Sequence, residues 1–101
     1  MDIVNAIARV RFGSAKPQRV HLHKGDGLDV ELLCMEAGQK TKIDAGEVVY
    51  YVVTGTAALS ESGRTVEVPT GQLVSPQAME PHTVANAGEG RLVILATRSS
   101  A

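Results

Sequence analysis

Three histidines and one cysteine hold most of the chemical potential of this chain: His21 and His23 in RVHLHKG, His82 in MEPHTVAN, and Cys34 in VELLCMEAG. A neutral imidazole binds transition metals and titrates near physiological pH, so each histidine is weighed as ligand and as proton carrier. Carboxylates are the other ligands to look for, and Asp44 and Glu47 lie in the segment QKTKIDAGEVV. His21 and His23 stand two apart, which puts both on one face of a regular strand, where a pair can chelate. A strand end beside a Gly-rich turn is expected instead to show them to solvent, with Val20 and Leu22 turned inward. Nothing adjacent completes a ligand set. Cys34 has no basic neighbour in sequence and suits a small buried hydrophobe better than a nucleophile.

The elements that must position these groups are short strands. Gly, Pro, Asn and Asp clusters punctuate the chain at 24–27, 44–46, 61–64, 69–71, 78–81 and 86–90. Between them run Arg19–His23, Leu28–Met35, Val48–Val53, Thr56–Ser60, Thr65–Val68, Leu73–Ser75, Thr83–Ala85 and Arg91–Thr97, most of them rich in β-branched residues. Strands this short and this regularly spaced predict an all-β sandwich or barrel. Ser62 and Gly63 suit a tight hairpin. Only Ile3–Val10 shows a faint helical stripe, through Ile3, Ile7 and Val10.

Composition narrows the function classes. A chain of 101 residues is read as one domain. A net charge of −1 and 3% aromatic residues leave neither a basic face nor stacking rings for nucleic acid. Apolar runs such as Val48–Val53 and Leu92–Ala96 are strand-length, so no membrane span is expected. The leader MDIVNAIARVRF lacks the pattern of a secretory signal, and a lone Cys34 fits a reducing compartment, so a cytoplasmic protein is expected. The organisation reads as an N-terminal segment over 1–18, a short helix or strand packing on the barrel or on a partner. A barrel over 19–97 and a tail over 98–101 follow it.

The stretch GQLVSPQAMEPHTVAN, Gly71 to Asn86, resembles the second sequence motif of the cupin family, with His82 and Asn86 at the family spacing from Gly71. Pro76 arrives one residue early and Met79 stands where a glycine is usual. Residues Gly38 to Gly55, ending in YYVVTG, resemble the first motif, and fifteen residues separate Gly55 from Gly71. The resemblance covers residues 19 to 97 and implies a double-stranded β-helix, a jelly-roll barrel of antiparallel strands, often dimeric. The family's first motif also implies two histidines and a glutamate for a metal shared with His82. Here no histidine lies between Lys24 and Pro81. The His-x-His places fall on Lys42 and Asp44 or on Thr41 and Ile43. The glutamate place falls on Val48, with Glu47 one step out of phase. No cofactor is therefore expected; a divalent transition metal on His82 would need Asp44 or Glu47 recruited by a distorted loop.

By the family's phase Val48, Tyr50 and Val52 face the lumen with His82 and Val84, and Tyr51 faces away. Met79 is expected to refill the neighbouring corner with apolar bulk. Tyr50, Val48, Val52, Met79, His82 and Val84 are thus the candidate ligand-binding set, and Tyr50 with His82 the candidate acid/base pair. The bland alternative has Tyr50 filling the core and His82 bonded to backbone. Three functions compete: a metal-poor barrel binding a small molecule or serving regulation, an enzyme, and a structural or protein-binding module. The enzyme would be a metal-dependent oxygenase or isomerase with unusual ligands, or a metal-free isomerase or epimerase. Lys42 and Arg64 are loose candidates for a substrate clamp. RLVILAT is apolar on both faces and suits a central strand, one of whose covers could be the second subunit of a homodimer.

Overall fold

The computed structural model describes residues 1–100. Among them the strands are β1 (Gln18–Lys24), β2 (Leu28–Met35), β3 (Lys40–Ile43), β4 (Val48–Thr54) and β5 (Thr56–Glu61), followed by β6 (Arg64–Pro69), β7 (Leu73–Val74), β8 (His82–Asn86) and β9 (Leu92–Ser99). They pair into two antiparallel sheets, ordered β1-β2-β9-β4-β7 and β3-β8-β5-β6. The fold is all-β, a double-stranded β-helix. Among the described residues no helix is long and apolar enough to cross a membrane.

Alternation builds the interior. In β4, Val48, Tyr50 and Val52 are buried while Tyr51 points outward and is 41% exposed. They meet Leu33, Met35, Leu92, Ile94 and Ala96 from the same sheet, and residues such as Ile43, Leu59 and Val84 from the other. Each fully buried aliphatic or aromatic side chain contributes about 1.5–3 kcal/mol by leaving water, before the entropy of ordering it is subtracted. β2 and β9 are central and buried on both faces, as RLVILAT implies. Their outer faces, through Leu32, Cys34 and Val93, form a second apolar cluster with Val20. The cover over part of this cluster is the chain's own N-terminal segment: Val10 and Phe12 pack onto it. Arg91 lies 4.5 Å from the Phe12 ring centroid, and Gln39 Nε2 donates to the Gly13 carbonyl at 2.7 Å.

Local chemistry explains the corners. Ser62 and Gly63 both have positive φ, 49° and 75°, the twist a two-residue hairpin needs between β5 and β6. Gly55 has φ +94°, and a Cβ there would stand 2.7 Å from the Arg91 carbonyl, so only glycine lets β4 pass into β5 beside β9.

Four expectations are corrected. Lys40–Ile43 is a strand that the polar sequence KTKI conceals, because as a sheet edge it needs apolar side chains on one face only. The stripe at Ile3–Val10 gives only a 3-10 turn at Ile7–Arg9, which buries nothing. The tail expected from residue 98 is strand as far as Ser99, while Ala101 lies outside the described residues. His21 and His23 do not share a face. A bulge between them pairs His21 with Glu31 but His23 with Val30, and Val20 and Leu22 belong to the outer cluster instead of facing inward.

Asn86 closes one end of the barrel. Its side-chain nitrogen donates to the carbonyls of Met35 and Gly90 at 3.1 and 2.8 Å, and its oxygen accepts from the Gly88 amide at 3.0 Å. It thereby ties the β8–β9 turn to the end of β2. Asn86→Ala is expected to cost about 1–3 kcal/mol, because the buried Met35 carbonyl loses this donor. Urea unfolding of both proteins measures the difference, and a loss below about 0.5 kcal/mol contradicts the assignment.

Candidate functional site

Ladder registers arrange the lumen-facing side chains of the larger sheet in rows. One row runs His21, Glu31, Ala96, Tyr50, Val74. The next, nearer the open end, runs Lys24, Asp29, Arg98, Val48. In the smaller sheet Ile43 pairs with His82, and Thr41, Val84, Leu59 and Val66 form the row below. The small Ala96 lies between Glu31 and Tyr50, leaving space above it for their polar ends.

Tyr50 and His82 meet across this space. The phenol oxygen stands 2.7 Å from His82 Nε2, with ring centroids 5.5 Å apart and planes at 71°. Tyr50 is fully buried and His82 is 3% exposed. Burial pushes the Tyr50 phenol up to about 12, a rise that attraction to Arg98 and Arg19 partly offsets. Burial also lowers the pKa of His82, against the attraction of Glu61 and the Glu80 backbone. Both groups are therefore neutral at pH 7. The Arg98 guanidinium approaches the Tyr50 hydroxyl as a hydrogen-bond donor. The Glu80 backbone on the other side of the ring favours a proton on Nδ1, which leaves Nε2 to accept from the phenol. Nδ1 has essentially no accessible surface, and the Glu80 backbone is the hydrogen-bonding group beside it.

A buried ion pair supports the same row. Glu31 is 2% exposed and accepts from Arg19 Nη2 at 2.6 Å and Nε at 3.1 Å. His21 Nδ1 lies 3.8 Å from the other carboxylate oxygen. Sequence reasoning missed Glu31, Arg19 and Arg98 as parts of the lumen. The available signal was an acid inside the apolar run VELLCM, since a buried carboxylate requires a partner.

His82 also walls a cavity of about 80 Å³ between the β6 and β7 edges of the two sheets. Leu59, Val66, Val74 and Pro76 give it apolar lining, and Ser60, Glu61, Arg64 and Ser75 give it polar lining. Val48, Val52 and Val84 are buried in the core and do not line it. Met79 is 90% exposed, so the corner is not refilled with apolar bulk as expected. Asp44 and Glu47 are exposed in the β3–β4 loop, where they border a separate recess with Arg98. Lys42 points outward from β3. Cys34 is buried in the outer cluster, and burial raises its thiol pKa.

The family model described as the cupin domain matches residues 31–98, more than half of the chain. The chain belongs to the cupin family. The fold is similar to that of a protein from Thermus thermophilus, with TM-score 0.90 and 19% identity over 98% of this chain and 97% of that one. It is also similar to a double-stranded β-helix protein of Klebsiella pneumoniae, with TM-score 0.86 and 16% identity over 98% and 90% of the two chains. A cupin superfamily protein from Desulfitobacterium hafniense follows at TM-score 0.77 and 16% identity, over 89% and 83%. Among curated protein sequences none matches significantly.

The residues of this cupin do not fit the transition metal its family implies. Ile43 and Val48, both 3% exposed, are apolar where donors would have to converge. The lone pair of Nε2 is engaged by Tyr50, and Nδ1 carries the ring proton. Among the described residues no group of three or more His, Cys, Asp or Glu side chains is placed to hold a metal.

The lowered pKa of His82 links stability to pH. The unfolded chain takes up a proton near the ordinary value of 6.5 while the folded chain resists it, so the unfolded state binds more protons in that window. The stabilising contribution is complete above that value and is lost as pH falls through the lower folded one. Urea midpoints measured from about pH 8 to about pH 5 are expected to fall, with a shallower fall in His82→Gln. Equal slopes in the two proteins contradict a buried, neutral His82.

Proposed function

We propose that this cupin binds a small, mostly apolar molecule without a metal, in the cavity that His82 shares with Leu59, Val66 and Val74. The observation that carries the reading is the 2.7 Å bond from Tyr50 to His82. It occupies the nitrogen a metal would need and leaves a buried N–H on a cavity-lining ring. Apolar walls with a few polar groups around them are the usual make-up of a small-ligand site. Acid/base catalysis by the same pair is less well supported. Tyr50 sits at about 12 while His82 lies below its ordinary 6.5, so proton exchange between them is steeply uphill at neutral pH.

Metal analysis of protein purified without chelator is expected to show well under one transition metal per chain, unchanged in His82→Ala. Stoichiometric metal that disappears in His82→Ala overturns the reading. Small aliphatic molecules with one polar end are expected to raise the melting temperature by several degrees at about ten times Kd, where binding adds about 1.4 kcal/mol. Val74→Phe, which fills the cavity, is expected to abolish that rise.

We also propose that the protein pairs with a second copy of itself. Ile3, Val4 and Ile7 remain exposed, and Ile7 borders an apolar recess with Val10, Phe12, Val53 and Val93 on the outer sheet face. Sedimentation equilibrium at micromolar concentration is expected to return a dimer mass; a monomer contradicts the pairing.

A further inference from the structure

One wall of the cavity beside His82 is a length of chain that the barrel holds only lightly. Residues 75–81 join β7 to β8. Ser75 and Pro76 line the cavity where this segment begins, and His82 lines it where the segment ends. None of residues 75–81 is buried: Pro76 is partly covered and the others are exposed. The segment therefore has no anchor in either apolar cluster. Among the described residues three hydrogen bonds fasten it to the rest of the fold. Glu61 Oε2 accepts from the Gln77 amide at 3.0 Å, and the Glu80 carboxylate accepts from the Ser62 hydroxyl. The Ala78 carbonyl accepts from the Gly46 amide at 2.8 Å. Two of these bonds reach the tip of the β5–β6 hairpin and the third reaches the β3–β4 loop. Water can replace each of them, so releasing the segment costs far less than opening a ladder. Its own shape does not depend on them. The Glu80 amide donates to the Gln77 carbonyl at 3.4 Å, and Pro76 and Pro81 fix φ near its two ends. Both ends are held in ladders, through Val74 on Tyr50 and His82 on Ile43. Glu80 also sets its backbone beside the buried Nδ1 of His82, so one residue both latches the segment and covers the ring.

We propose that residues 75–81 form a strap that lifts as a unit from the β5–β6 hairpin and uncovers the cavity and the His82 ring, with the Glu61 and Glu80 carboxylates as its latches. The inference rests on the small-ligand reading above and adds the route by which that site is reached. With the strap down, the cavity keeps its volume of about 80 Å³. With the strap up, Leu59, Val66 and Val74 lose cover to water, which draws an empty site closed again.

Hydrogen exchange followed by NMR on the full-length protein reads the opening at three places: the Gln77 amide, the Gly46 amide and the Nδ1–H proton of His82. All three are expected to be at least about tenfold less protected than the amides of β9, which is paired on both sides. Glu80→Ala removes the latch to Ser62 and leaves the bonds at Gln77 and Gly46 in place. It is expected to speed exchange at all three reporters by one common factor, about two- to tenfold, with β9 unchanged. Because the Glu80 side chain is exposed, this variant keeps the fold, which a melting curve verifies. Reporters that respond by unrelated factors, or that are as protected as β9, overturn the strap. Faster exchange at Gln77 and Gly46 with an unchanged ring proton overturns its role as the cover of His82. No ligand enters this experiment, so the strap can fail while the small-ligand reading stands, and that reading falls separately if no probe raises the melting temperature.

Discussion

The hydrogen bond from Tyr50 to His82 joins the two sheets through an otherwise aliphatic interior, and the arrangement around it follows from its requirements. A buried hydrogen bond contributes only about 1 kcal/mol net, but a partner left alone costs about 1–3 kcal/mol. The pair is therefore held less by its own strength than by the expense of separating it. β4 has to present Tyr50 inward, β8 has to present His82 toward it, and Ala96 beside Tyr50 on β9 has to stay small. Any slip of one residue in β4 would put Tyr51 in the lumen, where its phenol stands on a different row.

That bond also divides the barrel into two chemical halves. Below it, Leu59, Val68, Ala57, Met35 and Leu92 fill the interior, and Asn86 staples the end shut. Above and beside it lie Glu31 with Arg19, Arg98, and the rim residues Glu61 and Arg64. Burying Glu31 is tolerable because Arg19 grips it with two nitrogens while keeping its own side chain 39% exposed. The desolvation cost thus falls mainly on one partner. The positive potential of Arg98 and Arg19 opposes the rise of the Tyr50 pKa without reversing it, so the phenol remains a donor.

Much of this architecture is legible in the sequence, for reasons that differ by element. β4 and β9 declare themselves because a strand covered on both faces reads as an unbroken apolar run, as VVYYVV and RLVILAT do. Because VVYYVV is apolar at every position, the choice of Tyr50 over Tyr51 for the lumen came from the phase of the cupin motif. β3 was hidden because an edge strand can spend its outer face on lysines. The histidine pair misled because period-two reasoning holds only for an unbroken ladder, and the bulge at Leu22 inserts one residue between them. Met79 misled in another way: loop residues have no phase, so its place in a motif said nothing about where its side chain points. Glu31, Arg19 and Arg98 are far apart in sequence. Only the pairing of β2 with both β1 and β9 brings them together.

The absence of motif histidines and the presence of Tyr50 are physically one fact. A neutral histidine in an apolar chamber has a lone pair that must be met, by a metal or by a proton donor. Ile43 and Val48 remove the companions with which His82 could hold a metal, and they lower the polarity around the ring. In that setting the imidazole needs a donor at Nε2, and a tyrosine two residues beyond Val48 on the same face supplies it. Arg98 lies close enough to the oxygen of that tyrosine to oppose the rise of its pKa. The consequence travels to the far side of the ring, where the displaced proton sits on Nδ1. Apolar residues at the end of β3 and the start of β4 thus leave the ring to the hydrogen bond with Tyr50. His82 is held as the buried partner of Tyr50 instead of as a ligand for a cation.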